Sequence, residues 1–248
     1  MSQVSVIMVS HNRDNFIGLA IDSVLSQSFF DWEMIIIDDC STDNTGALVG
    51  KYGDPRIKYF KNESRMGIVQ SRNKALSIAR GEYVAILDSD DIWQDKDKLK
   101  KQVEFLQNNH DYVLCGGMAE IIDGSGKKVG EINFKEKDDE IRKIMLLSNQ
   151  LVHSSVLYRK DPAVAVGGYG NYEVGEDYDL FLKLGLVGKF KNLSDHLVFY
   201  RRHTGGVTWH DRRKSALCHL KIIIQYRNRY PNYLFAVLKA YVRVIISW

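Results

Sequence analysis

Apolar positions in the first ninety residues alternate between two rhythms. Val4-Ser5-Val6-Ile7-Met8-Val9 is a nearly continuous apolar run, as in a strand covered on both faces. Behind Asp14, which reads as a helix cap, Phe16, Leu19, Ala20, Ser23 and Val24 recur at helical spacing. Glu33-Met34-Ile35-Ile36-Ile37 predicts a second strand, Ser41-Thr42-Asp43 the start of a second helix, and Ile57-Lys58-Tyr59-Phe60 a shorter strand. A third helix runs from about Ile68 to Ala79, stopped by Gly81, and Tyr83 to Leu87 is a fourth strand. Right-handed crossovers turn this β-α-β-α order into an open, mostly parallel α/β sheet, whose ligands bind at the carboxyl ends of the strands.

After Asp91 the pattern becomes α+β. A helix over about Lys96 to Asn108 is followed by strands Tyr112-Val113-Leu114-Cys115 and Ala119-Glu120-Ile121-Ile122, and Asp123-Gly124-Ser125-Gly126 reads as a hairpin turn. Residues 135–148 have helical spacing, and Ser155-Val156-Leu157-Tyr158 is another strand. In the tail Leu234, Val237, Leu238, Tyr241, Val242 and Ile245 share one helical face, with Lys239 and Arg243 off it and Trp248 at the end. This fits a basic amphipathic element on an anionic membrane, and equally a helical pair packed on the domain or on a second subunit.

Charge sharpens that division. Eight of the 34 Lys and Arg, against one of the 31 Asp and Glu, lie from Trp209 onward, leaving a mildly acidic body of 26 basic and 30 acidic residues. The basic residues cluster with aliphatic neighbours, which argues against nucleic-acid binding. Cys40, Cys115 and Cys218 are odd in number and widely spaced, which suits a reducing compartment. With no basic flank or apolar leader before Val4, and no window of about 18 apolar residues, the expectation is a cytoplasmic protein without a transmembrane helix.

Candidate chemistry gathers where strands end. Ser10-His11-Asn12-Arg13, Asp38-Asp39-Cys40-Ser41 and Asp88-Ser89-Asp90-Asp91 each follow a strand and converge on one sheet edge. One Asp after Leu87 would serve as a cap or turn residue, whereas three repel one another unless a cation or substrate relieves them. If the extended geometry persists, Asp88 and Asp90 share a side and Asp91 points elsewhere. The turn after the first strand lacks the Gly-x-Gly-x-x-Gly of a dinucleotide-binding dehydrogenase and the glycine-rich basic loop of a nucleotide-sugar pyrophosphorylase. An Asp-x-Asp phosphatase would carry its acids after the first strand, not the fourth.

These clusters, with Ser71-Arg72-Asn73, Gly81-Glu82-Tyr83 and Gly175-Glu176-Asp177-Tyr178-Asp179-Leu180, resemble the family 2 glycosyltransferases of the GT-A fold, in order from Val4 to about His203. His11 stands where that family more often has Tyr, and Cys40 where Gly is usual. The resemblance implies a single Rossmann-like open mixed sheet with helices on both faces and a C-terminal helical tail. It divides the chain into a domain over 1–208, with a nucleotide-binding half at 1–92 and an acceptor-binding half at 93–208, and a tail at 209–248.

It also implies an inverting transfer from a UDP- or dTDP-sugar to a glycan or lipid-linked hydroxyl, of the kind found in polysaccharide, lipopolysaccharide or glycolipid synthesis. Asp39 would accept from the pyrimidine N3–H, with Ser10, Asn12 and Arg13 nearby; Asp43 is as readily a cap. Arg72 would reach base or phosphate, or form a surface ion pair. Asp88, with Ser89, would meet the ribose or metal-bound water, and Asp90 would hold Mg²⁺ or Mn²⁺ against the diphosphate. Asp177 would be the general base, with Glu176, Trp93 and His153 on the acceptor side, although Glu176 and Asp179 also read as first-turn acids, and His153 as a buried histidine. Arg201 or His203 would contact phosphate, and His203 is alternatively a third metal ligand or a solvated residue. Trp93 and Trp209 would stack on sugars or belong to the core. The rival from another class is a catalytically silent binding or scaffolding module, which would gain nothing from unpaired acids in a cleft.

Overall fold

A computed structural model describes residues 2–203 and 212–247, Arg212 by its backbone only. The sheet is built from β1 (Val4–Ser10), β2 (Trp32–Asp38), β3 (Ile57–Lys61), β4 (Tyr83–Ile86), β5 (Ile92–Trp93), β6 (Tyr112–Ile122), β7 (Lys128–Ile132), β8 (Leu157–Arg159) and β9 (Lys189–Arg201). Their order is β3-β2-β1-β4-β8-β6-β9-β5, with β7 pairing β6. Pairings within β3-β2-β1-β4 are parallel, and β8 joins β4 and β6 antiparallel, so the sheet is open and mixed. Helices α1 (Ile17–Leu25), α2 (Thr45–Val49), α3 (Ile68–Ile78), α4 (Lys98–Asn108), α5 (Asp138–Ile144), α6 (Lys160–Ala165), α7 (Glu176–Gly185), α8 (Arg212–Gln225) and α9 (Tyr233–Ile246), with a 3₁₀ turn at His153–Ser155, complete the described elements.

The strand period of two splits each central run between two cores. Ile7, Ile35 and Ile37 face the layer holding Ala75, Leu76, Leu180 and Phe181, while Val6, Met8, Met34 and Ile36 face the layer holding Ile17, Ile21, Leu99 and Val103. Burying both faces is what the unbroken apolar runs of β1 and β2 anticipate.

Some expectations shift. Asp14 caps nothing: α1 starts at Ile17 after Phe16, with no side-chain cap. The second helix begins at Thr45, whose N–H donates to Asp43 Oδ1 at 2.9 Å. The two strands expected before the Asp123–Gly126 turn are one, because Gly116 and Gly117 let the chain run on: a Cβ at Gly117 would lie 2.5 Å from the Leu197 side chain of β9. The hairpin itself is present as β6 and β7. The 208/209 boundary, Trp209 and Trp248 lie outside the described residues. Among the described residues no helix is long and apolar enough to cross a membrane.

Candidate active site

At the carboxyl ends of β1, β2 and β4 opens a cleft of about 930 Å³, at the point where strand order reverses from β2 on one side of β1 to β4 on the other. It gathers Ser10 from the end of β1, His11 and Arg13 after it, Asp39 after β2, Arg72 from α3, Asp88 to Asp91 after β4, and Glu176 and Asp177 from α7. Asp39 Oδ1 accepts from Asn62 Nδ2 (2.9 Å), the Met66 N–H (2.8 Å) and Ser71 Oγ (3.2 Å), and Oδ2 from the Gly67 N–H (2.9 Å). Burial alone would raise its pKa, but these donors hold the carboxyl below the usual range, so it stays ionised. Oδ2 takes one donor and has capacity for another. Beside it Ser10 Oγ is buried without a hydrogen-bond partner among the described residues.

The His11 Nδ1–H donates to the Asp39 carbonyl at 2.8 Å, tying the β1 and β2 loops together. Cys40, standing where the resemblance expects glycine, has φ of +63°, a left-handed conformation that costs a side-chain-bearing residue about 1–2 kcal/mol. The exposed Asn12 side chain accepts from the Thr42 N–H at 2.9 Å through Oδ1, which also links the two loops.

The acids after β4 do not stay extended. The Asp91 N–H returns to the Asp88 carbonyl at 3.0 Å, and this turn sends the three carboxyls in three directions, so Asp88 and Asp90 do not share a side. Asp88 meets Arg72 Nη2 at 2.7 Å and His153 Nδ1 at 3.1 Å; burial opposes its ionisation, but these two partners hold its pKa well below the ordinary value. Asp91 is buried, accepting from the Ser154 hydroxyl and from the Arg201 N–H at 2.8 Å. Burial and the charges of Asp90 and Asp88 push its pKa well up, which makes it part of the turn's framework.

Asp90 faces the cleft between Arg13 Nε at 3.3 Å and His203 Nε2 at 3.0 Å. Among the described residues no group of three or more His, Cys, Asp or Glu side chains is placed to hold a metal ion. An Asp oxygen beside a His nitrogen in an open, polar cleft nevertheless suits a divalent ion that draws its remaining ligands from substrate phosphates and water. Ser89 is buried in the same turn, at the cleft wall.

Arg72 is a clasp rather than a surface residue. Its buried guanidinium bonds Asp88 through Nη2 and, 104 residues along the chain from Arg72 itself, Glu176 through Nη1. Glu176 is thus paired with Arg72, and Arg72 is shared between two carboxylates. His153 is likewise engaged on both ring nitrogens, by Asp88 and by the Tyr169 hydroxyl at 3.2 Å. Trp93 is 3% exposed, donates Nε1–H to the Ser154 carbonyl at 2.9 Å and lies under Lys98 Nζ at 4.1 Å, so no ring face is open to a sugar. Arg201 donates through Nε to the Asp90 carbonyl (2.8 Å) and through Nη1 to the Asp123 carbonyl (3.1 Å) and lies over the Phe16 ring, so it braces the acidic turn.

Gly175, with φ of +84°, provides the left-handed step that starts α7 over the cleft. Of the acids that follow, Glu176 pairs with Arg72, and Asp179 with Lys183 at 2.7 Å and the Tyr226 hydroxyl at 3.0 Å. Half-buried Asp177 lines the cleft and makes no hydrogen bond or ion pair among the described residues.

One wall of the cleft comes from residues without a marked sequence signature. Ala236, Lys239, Ala240 and Arg243 of α9, with His219 of α8, line the cleft beside α7. His219 stacks on Tyr178 at 5.0 Å and is driven down to about 4 by burial and by the charges of Arg243 and Lys239. The available signal is the pair Ala236 and Ala240, small residues one turn apart in an otherwise bulky helix.

Comparisons with known proteins agree with this architecture. The family model "Glycosyl transferase family 2" matches residues 5–166. The Escherichia coli protein WfaP, named as a UDP-Glc:alpha-D-GlcNAc-diphosphoundecaprenol beta-1,3-glucosyltransferase, is 32% identical over 84% of this chain and 80% of its own. The chain spans 63% of the length of curated mycobacterial relatives that are 30% identical to it. Among solved structures, S. aureus TarS 1-349 in complex with UDP-GlcNAc superposes with a TM-score of 0.73 at 24% identity, covering 91% of this chain and 67% of that one. The mannosyltransferase PcManGT of Pyrobaculum calidifontis, in complex with GDP-Man and Mn²⁺, gives 0.69 at 16% identity, covering 99% and 75%. At such identities these structures establish a shared fold, the GT-A arrangement. With the family model covering well over half its length, the chain belongs to glycosyltransferase family 2.

Proposed function

We propose that the cleft transfers a sugar from a UDP- or dTDP-sugar to a hydroxyl acceptor, inverting the anomeric centre, in the synthesis of a cell-surface polysaccharide, lipopolysaccharide or glycolipid. The observation that carries this reading is the contrast within the first turn of α7. Glu176 and Asp179 are paired, while Asp177 faces the same cleft as Ser10 and Asp39 with no partner among the described residues. An unpaired carboxylate there can take the proton of an acceptor hydroxyl at its own oxygen as that hydroxyl attacks, an effect of about 10²- to 10⁴-fold. A scaffold would have no use for it.

On the donor side Asp39 Oδ2 and Ser10 Oγ retain hydrogen-bonding capacity for the N–H and carbonyl edge of a pyrimidine. Asp90 and His203 would hold Mg²⁺ or Mn²⁺, which when bound neutralises charge growing on the departing diphosphate. Arg13, beside Asp90, adds positive charge at the same place. In this reading residues 1–92 form the donor half and 93–208 the acceptor half, with the Arg72–Glu176 pair spanning the two. Support for a uridine donor comes from the similarity to WfaP, a protein named for transfer from UDP-Glc. The free thiols Cys40, Cys115 and Cys218 favour a cytoplasmic setting.

The test is a thermal-shift series with UDP, TDP, GDP and their sugars, with and without Mn²⁺. Stabilisation by a uridine or thymidine diphosphate that grows with Mn²⁺ is expected. No response to any diphosphate would overturn the reading.

A further inference from the structure

Helix α9 carries three strips along its length. Ala236 and Ala240 are buried in the core shared with α7 and α8. Lys239 and Arg243, one turn apart, stand at the cleft wall; Lys239 Nζ donates to the Leu147 carbonyl at 3.0 Å, and the Arg243 guanidinium makes no hydrogen bond or ion pair among the described residues. Leu234, Leu238, Tyr241, Val242 and Ile245 form the third strip, each between 46% and 82% exposed, with Phe235 and Ile246 beside them. At 3.6 residues per turn the basic strip falls between the buried and the exposed apolar strips.

Seven large apolar side chains open on one short helix mark a surface that something covers. Charge decides between the two natural occupants. A second copy seated on this face through a two-fold axis would present the same helix, which carries Lys239 and Arg243 and no Asp or Glu to meet them. An anionic bilayer instead places phosphates against the basic strip and acyl chains against the apolar one.

We infer that α9 lies in the surface of an anionic membrane, its apolar strip among the acyl chains and Lys239 and Arg243 at phosphate depth. Resting on the transferase reading of the cleft, this makes the acceptor an amphiphile held in that same membrane, entering past the basic strip. The acceptor need not diffuse through solvent: the helix that anchors the protein is also a wall of the site that receives it.

The experiment is co-sedimentation of the full chain with vesicles of phosphatidylcholine alone and of equimolar phosphatidylcholine and phosphatidylglycerol, alongside the UDP thermal shift. Wild type is expected to favour the anionic vesicles. The triple variant Leu238→Ser, Tyr241→Ser, Ile245→Ser should bind both kinds at least about tenfold more weakly while keeping its UDP response. Lys239→Glu with Arg243→Glu should abolish the preference for anionic lipid. Wild type that stays in the supernatant, or a triple variant that binds like wild type, overturns the inference. So does a lipid-free dimer, seen by light scattering, that the triple variant breaks. Loss of the UDP response with vesicle binding intact would strike the transferase reading alone.

Discussion

Replacing Arg72 by Met tests the buried clasp on which the floor of the cleft rests. The substitution keeps much of the side chain's volume but removes the charge that Asp88 and Glu176 share. Arg72 is 7% exposed and Glu176 likewise 7%, so little solvent is at hand to compensate the stranded carboxylates. Breaking one partner out of a buried ion pair costs about 3–5 kcal/mol, and in a chain of this size each kcal/mol moves Tm by about 2–4 °C, so a fall on the order of 10 °C is expected at neutral pH. The pH dependence has a definite sign. In the native protein Asp88 is held below the usual carboxylate range, so its stabilising contribution is complete above the unfolded value of about 3.9 and is lost only as pH falls through the lower folded value. Without Arg72 the two acids can instead take up protons, so the penalty should shrink as pH is lowered toward about 5. Urea denaturation of Arg72→Met, Glu176→Gln and the double variant supplies the cycle, in which the double should lose less than the sum of the singles. An Arg72→Met loss under about 1 kcal/mol at neutral pH, or strict additivity, would refute the clasp.

Three further outcomes are expected. Asp177→Asn should lower transfer by about 10²-fold or more while leaving the thermal response to donor and Mn²⁺ unchanged; near-normal turnover would remove Asp177 as the base. Asp90→Asn should abolish the Mn²⁺-dependent part of diphosphate binding, measured by calorimetry, whereas Asp91→Asn should retain it, because both Asp91 oxygens are taken up by the Ser154 hydroxyl and the Arg201 N–H. Lys98, fully buried over Trp93 and bonded to Gln102 at 2.8 Å, is lowered by burial to about 7, so above that pH the unfolded chain binds a proton that the folded one does not. Stability should therefore rise by up to about 1.4 kcal/mol per pH unit between the folded value and the unfolded one near 10.4, and Lys98→Met should flatten that slope in denaturation curves taken across the window.

The parallel half of the sheet is legible because its signal is local. Runs such as Met34-Ile35-Ile36-Ile37 need only their own composition to declare a strand buried on both faces. The convergence of Ser10, Asp39 and Asp90 on one edge then follows from topology alone. What escapes depends on partners far along the chain. Nothing near Arg72 announces Glu176, and nothing near Trp93 announces the Ser154 carbonyl or the Lys98 amine above its ring. Gly116-Gly117 looks like a break between strands because the neighbour that demands small residues, Leu197 on β9, lies about eighty residues downstream. For α9 the apolar face is visible in the sequence, but that face is the exposed one, and the cleft wall is made by the inconspicuous alanines and the basic pair.

The short 3₁₀ turn His153–Ser155 reaches nearly every part of the acidic loop. His153 holds Asp88; Ser154 donates to Asp91 and accepts from the Asp88 N–H at 3.1 Å; its carbonyl anchors Trp93; Ser155 receives the Gly117 N–H at 3.2 Å. The loop that carries Asp88 and Asp91 is therefore shaped by a turn 66 residues further along the chain, so its geometry is a long-range property that β4 and its flanking residues do not hold by themselves.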